Sequence, residues 1–209
     1  LHQGMSSSGI DIIYPYLEHP DDPVLVLCDQ ETDGGGWTVI QNRYDGSEDF
    51  YRSWDEYVTG FGNPNEEHYL GNDVISQLTG QKVNELRVEI ENWDNKSTYA
   101  HYQMFWVQLG YNYMLQVALY DGTAGNGFSV NDYGQFFSTF DHDMDPSSQN
   151  CAEDYHGGWW YGAYCGFSNL NGRYYPNGDA GDAEDGMTWG DDRHHVLKTS
   201  TMKIRPYCA

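Results

Sequence analysis

Apolar and polar residues alternate most cleanly over residues 85–93. Leu86, Val88 and Ile90 fall on one side, and Arg87, Glu89 and Glu91 on the other. That period-two pattern is the mark of a half-buried strand. Residues 10–14 and 24–28 read as shorter strands, with Pro15, Pro20 and Pro23 breaking the chain between them. Residues 37–41, 100–109, 113–120 and 202–205 continue the strand pattern, the last closed by Pro206 and Cys208. Two segments carry helical spacing instead. Residues 49–61 place Trp54, Tyr57 and Val58 on one face. Residues 72–78 have Asn72 or Asp73 to cap them and Gly80 to end them. Gly34, Gly35 and Gly36 precede the strand at Trp37. A glycine-rich loop can cradle phosphate, but no helix follows this one and it holds no Lys, so it reads as a tight turn where the backbone crowds Trp37. Residues 173–185 form a loop of Gly, Asp, Ala and Tyr. No internal repeat or linker divides the 209 residues, enough for one large domain with a real core.

Charge narrows the partners. Ten basic residues against 32 acidic ones give a formal charge of -22. Phosphate backbones and anionic membrane surfaces both require Lys and Arg, so the charge argues against nucleic acid and anionic membrane surfaces as partners. Cations, neutral ligands and basic partners remain. With 24 Gly, 18 Tyr and seven Trp, the chain has the composition of a loop-rich extracellular module. Its four cysteines fit an oxidising compartment. No apolar run approaches the ~20 residues of a membrane-spanning helix, so no membrane insertion is expected. No signal peptide is visible, and Leu1 reads as the start of a processed or trimmed chain.

The chemistry concentrates in FDHDMDPSSQNCAEDYHGGWWYGAYCGFSNLNG, residues 140–172. Asp141, Asp143 and Asp145 alternate with His142 and Met144. Calcium takes about six to eight hard oxygen ligands, and an Asp-x-Asp loop followed by Pro146, Ser147, Ser148, Gln149 and Asn150 offers carboxylates and free carbonyls. The glycine and the closing Glu of a helix–loop–helix calcium loop are missing. The spacing therefore leaves a calcium loop and a solvated acidic turn both open. Cys151 and Cys165 can close a short loop, worth roughly 3 kcal/mol through the unfolded state. Between them lie Tyr155, Trp159, Trp160 and Tyr164. The Trp pair suits core packing for at least one member, while aromatics on a stapled loop also suit recognition. Asn95-Lys96-Ser97 fits the N-glycosylation pattern. His194-His195 reads as surface histidines, because neighbours on a strand point to opposite sides.

Several of these motifs together resemble the fibrinogen-related domain, the globular recognition domain of fibrinogen C-termini, ficolins and tachylectin-type lectins. They are CDQETDGGGWTVIQNRYDGSEDFYRSW, NELRVEIENWD, FSTFDHDMD, NCAEDYHGGWW, NLNGRYY, GMTW and LKTSTMKIRP, in order from about Ser8 to Pro206. The resemblance implies a single α+β domain spanning 1–209 with a central twisted antiparallel sheet. An N-terminal part would cover about 1–44, the sheet about 45–120 plus a returning strand at about 200–207, and a loop-rich calcium and ligand part about 121–199.

Carried over by position, the family's calcium ligands fall on the carboxylates of Asp143 and Asp145 and the carbonyls of Ser147 and Gln149. These lie eight, six, four and two residues before Cys151. Asp141 becomes a neighbour acting through water. Cys151–Cys165 falls on the family's subdomain disulfide. Cys28 matches a cysteine whose usual partner is absent from this chain. That partner lies upstream of Leu1 or is replaced by Cys208, and Cys28–Cys208 is the preferred pairing. The implied ligand pocket comprises Tyr155, Trp159, Tyr164, Cys165, Gly166, Ala183, Glu184 and Asp185. A strained, cis-capable Tyr164–Cys165 bond would leave the Cys165 and Gly166 amides as donors. The sequence departs from acetyl-binding relatives where Gly166 replaces a His and Ala183 a Tyr. Glu184 and Asp185, with Asp154 nearby, stand at or beside the place where fibrinogen's own pocket holds an acid for a terminal amine.

The expected function is that of a secreted, calcium-dependent pattern-recognition lectin of innate immunity. It would bind acetylated or other glycans on microbial surfaces and oligomerise through an upstream region. The alternative is a protein-interaction module that takes a basic peptide or amine into an acidic pocket. No nucleophile–base motif appears, and the resemblance is to a non-enzymatic family, so no enzyme is expected.

Overall fold

The computed structural model describes residues 7–110, 112–128, 134–165, 167–181, 183–190 and 196–207. Gly166, His194, His195 and Cys208 lie outside them, and so does the expected Cys28–Cys208 pairing. Cys28 itself is buried on the second strand.

The elements run β1 (Gly9–Ile13), β2 (Val24–Asp29), β3 (Trp37–Arg43), α1 (Trp54–Thr59), β4 (Phe61–Gly62), β5 (His68–Tyr69), α2 (Asn72–Gln81), β6 (Asn84–Glu91), β7 (Ser97–Val107), β8 (Leu115–Gly122), α3 (Cys151–Asp154), β9 (Ser168–Asn169), β10 (Thr188–Trp189) and β11 (Thr199–Pro206). An antiparallel sheet takes the order β1-β2-β3-β11-β6-β7-β8, with β5 also on β3 and β4 on β5. The fold is α+β, with few helices. The C-terminal strand β11 is inserted between β3 and β6, so the chain's last described segment completes the middle of the sheet.

The alternation read over residues 85–93 is realised in β6. Leu86, Val88 and Ile90 enter the core, joined across the register by Ile204, Met202 and Ser200 of β11. On the opposite face the Lys203 ammonium, only 3% exposed, donates to Asp29 and Glu89 at 2.7 Å each and to Thr32 at 2.9 Å. The Arg205 guanidinium lies 4.1 Å over the buried Trp37 ring and donates to the Asp33 and Gly35 carbonyls. The Gly34–Gly36 segment is a turn, as expected, but what crowds it is not Trp37. A Cβ on Gly35 would sit 2.6 Å from the Gln30 carbonyl oxygen, and φ there is 78°.

The helices differ in their ends from the expectation. α1 is shorter, because Ser53 and Glu56 form a capping box and Gly60, at φ 91°, stops it. α2 starts after Gly71 rather than on an Asn72 or Asp73 cap. Those two side chains are instead spent on the Tyr69 and Tyr113 hydroxyls, at 2.7 and 2.6 Å. α2 also runs through Gly80. Its end is fixed by the Asn84 amide, which donates to the Leu78 and Lys82 carbonyls.

Against this sheet packs an irregular aromatic layer. Tyr57, Tyr69, Phe128, Phe137, Trp159, Trp160 and Trp189 form one buried cluster with mostly edge-on or tilted contacts. Gly158 is where backbone meets ring, for a Cβ there would lie 2.6 Å from Tyr57.

Candidate partner-binding site

The loop from Ser138 to Asn150 is pinned at both ends. Ser138 and Trp159 exchange backbone hydrogen bonds of 2.9 and 3.1 Å, and the Ser138 hydroxyl accepts from the Met144 amide. At the far end the Asn150 side chain caps α3 by accepting from the Glu153 amide and donates back to the Phe140 carbonyl. The Asp141 carboxylate is engaged within the protein. Its Oδ1 accepts from the Trp54 amide at 2.9 Å and from the Thr139 hydroxyl at 2.7 Å, which ties the loop to α1.

Asp143 and Asp145 are brought together. The Asp145 amide donates to Asp143 Oδ1, and the half-buried Asp145 carboxylate accepts from the Ser147 and Cys151 amides at 2.9 and 3.0 Å. Burial pushes the Asp145 carboxyl up to about 6, the two amide bonds oppose this, and the neighbouring Asp143 charge adds to it. Among the described residues no cation pairs with either carboxylate, and the Ser147 and Gln149 carbonyls accept no hydrogen bond. Among the described residues no group of three or more His, Cys, Asp or Glu side chains clusters for a metal, so any ion would depend on carbonyls and water as well as the two carboxylates.

The Cys151–Cys165 disulfide is formed, with its Cα atoms 5.3 Å apart. It joins the start of α3 to a turn in which the Cys165 amide donates to the Gly162 carbonyl at 2.9 Å. Two pocket expectations change as a result. The Tyr164–Cys165 peptide is trans, and the unusual backbone is instead the left-handed Cys165, at φ 58°. The Cys165 amide is consumed inside its own turn and offers nothing to a ligand.

The aromatic wall is also different. Trp159 is fully buried and stacks on Phe128 at 5.6 Å, with its indole nitrogen donating to Ser168, so it is a core residue and not a pocket residue. Trp160 is equally buried and donates to the Tyr113 carbonyl. Tyr155 is half-buried against the core, and Tyr164 is 77% exposed at the tip of the stapled turn.

Asp185 is not a waiting acid. It is 9% exposed, accepts from the Tyr175 hydroxyl, and lies 3.3 Å from the Arg173 guanidinium and 3.5 Å from His156. His156 in turn accepts from Arg173 and stacks on Tyr51 at 4.6 Å. Nothing in the spacing of His156, Arg173 and Tyr175 announced this cluster, which assembles only when the end of α3 meets the 173–185 loop. The cluster neutralises Asp185 and joins the two segments that carry the exposed acids Glu153, Asp154 and Glu184. Ala183 is half-buried beside them, its amide donating to Ala180.

The family model for the C-terminal globular domain of fibrinogen beta and gamma chains matches residues 1–207. The chain belongs to the fibrinogen C-terminal domain family. Angiopoietin-2 of Bos taurus is 42% identical over 97% of this chain, and the match covers 41% of that relative's length. The fibrinogen-like globe domain of human ANGPTL2 superposes with a TM-score of 0.92 at 39% identity, covering 98% of this chain and 95% of the other. A lamprey fibrin D-dimer complexed with the peptide ligand Gly-His-Arg-Pro-amide superposes at 0.88 with 36% identity, covering 99% and 71%.

This fibrinogen C-terminal domain is a non-enzymatic binding module of a secreted, extracellular protein. No helix among the described residues is long and apolar enough to cross a membrane. The microbial-glycan lectin expectation is overturned. These relatives are an angiopoietin, an angiopoietin-like globe domain and a fibrin, and the ligand held by the fibrin is a peptide. Microbial glycans are withdrawn as partners with it. The geometry is in keeping with this: Trp159 is in the core, and the Cys165 amide is spent in its own turn.

Proposed function

We infer that this domain is a protein-recognition module that takes a basic segment of a partner protein. The contact surface is the one carrying Tyr155, Tyr164, Glu153, Asp154 and Glu184. The observation that carries the reading is the likeness to a fibrin domain complexed with a short basic peptide, in a chain whose own charge is -22. Tyr164 supplies a large exposed amphipathic anchor, and the exposed carboxylates supply attraction at a distance. Asp185 acts from beneath, by fixing Arg173 and His156 so that the two acidic segments keep their spacing.

Calcium belongs to the same reading. The Asp143 and Asp145 carboxylates and the idle Ser147 and Gln149 carbonyls suit a hard cation, with water filling the remaining positions. The ion would neutralise two adjacent carboxylates and stiffen the loop, which lowers the entropy cost of binding. It would not itself touch the partner.

The test is calorimetric titration with Gly-His-Arg-Pro-amide and with the same peptide acetylated at its amino terminus, at low and high salt. Salt-sensitive binding that weakens on acetylation and in Glu184→Gln is expected. Binding indifferent to salt, acetylation and Glu184 would overturn the acidic-surface reading.

A further inference from the structure

The turn between β6 and β7 carries a feature the partner surface does not use. Asn92 organises it. Its side-chain oxygen accepts from the Asp94 and Lys96 amides at 3.1 and 3.0 Å, and its carbonyl accepts from the Asn95 amide at 3.0 Å. Asn95 stands at the tip in the left-handed region, at φ 59°, a conformation Asn tolerates better than most residues. Asn95, Lys96 and Ser97 are all exposed. The Lys198 ammonium donates to Asn95 Oδ1 at 2.6 Å. An ammonium has only donors, so the oxygen must face Lys198 and the amide nitrogen must face the other way. Among the described residues Nδ2 makes no hydrogen bond, and the residue is exposed.

We propose that Asn95 carries an N-linked glycan. Asn95-Lys96-Ser97 is the chain's only Asn-x-Ser/Thr sequence, and a secreted protein meets the machinery that reads it. The donor is a lipid-linked diphospho-oligosaccharide. A bond forms between Nδ2 and the sugar's anomeric carbon, the bond from that carbon to the diphosphate oxygen breaks, and one amide proton leaves. The nascent chain is modified before it folds, and the finished turn accommodates the product. Substituted Asn95 keeps Oδ1 as the acceptor for Lys198, and the sugar leaves from the side that faces solvent.

The experiment is the intact mass of the full chain secreted by animal cells. A mass above the 23.9 kDa of the polypeptide is expected, returning to it on treatment with peptide N-glycosidase. Asn95→Gln and Ser97→Ala should each abolish the excess, while Ser97→Thr should retain it. Should Asn95→Gln fail to be secreted, peptide mapping of the wild type decides, because the glycosidase leaves aspartate at position 95 only where a glycan stood. A wild-type protein at the polypeptide mass, or an excess that persists in Asn95→Gln, would overturn the proposal.

Discussion

The Asp141 carboxylate accepts the Trp54 backbone amide at 2.9 Å, across 87 residues of sequence. The first turn of α1 is thereby held by the loop that presents Asp143 and Asp145. The contact is reinforced by His142, whose ring lies 4.0 Å from that of Trp54. Asp141→Ala should cost about 1 kcal/mol, the usual worth of a side-chain acceptor at a helix start. It should also weaken calcium binding, since the loop loses an anchor. Asp141→Ala with unchanged stability and unchanged calcium affinity would disconnect the two elements.

Calcium should act as a folding ligand. An ion held only by the native state, at a hundredfold over its dissociation constant, stabilises by about 2.7 kcal/mol. Chelation should therefore lower Tm in the wild type and have no effect in Asp143→Ala. Differential scanning calorimetry with and without EDTA checks this, and a wild type blind to EDTA would remove the ion from the proposal.

Acid should unpick the Lys203 cluster. Burial opposes ionisation of Asp29 and Glu89, but hydrogen bonds from Lys203, aided by Thr32 on Asp29 and Arg87 on Glu89, outweigh it and hold both carboxyls below their ordinary range. Depressed carboxyls contribute stability that is complete above their unfolded values and fades as pH falls through the folded ones. The loss should begin below about pH 4. Lys203→Met leaves Asp29 without its cation and Glu89 with Arg87 alone, at a cost of roughly 2 kcal/mol near neutrality. Urea unfolding across pH should show that difference shrinking in acid. An equal deficit at both ends of the range would mean that Lys203 matters through packing alone.

Glu67 should be among the most sensitive polar positions. It is 1% exposed, and its carboxylate accepts the amides of Tyr44, Asp45, Gly46 and Glu48. Glu67→Ala strands those donors and should cost about 3–5 kcal/mol. Glu67→Gln keeps one acceptor and turns a donor toward another donor, so it should fall between. Hydrogen exchange over residues 44–48 should accelerate in the same order. Unchanged exchange in Glu67→Ala would show that water replaces the carboxylate without loss.

The sequence by itself determined what repeats locally or is written as a motif. The β6 alternation, the strands on either side of the prolines, the Cys151–Cys165 staple and the family follow from residue order. They depend on the period of a strand and on side chains a fixed distance apart. Tertiary structure alone decided how each polar or aromatic side chain is spent. Trp159 looked like a pocket wall until Phe128 and Ser168 closed on it. Asp185 looked like an acid awaiting an amine until Arg173, Tyr175 and His156 reached it. Asn72 and Asp73 looked like helix caps until two tyrosine hydroxyls claimed them. A buried polar atom bonds with whichever partner the folded chain brings within about 3 Å. That competition does not exist until segments distant in sequence have packed together.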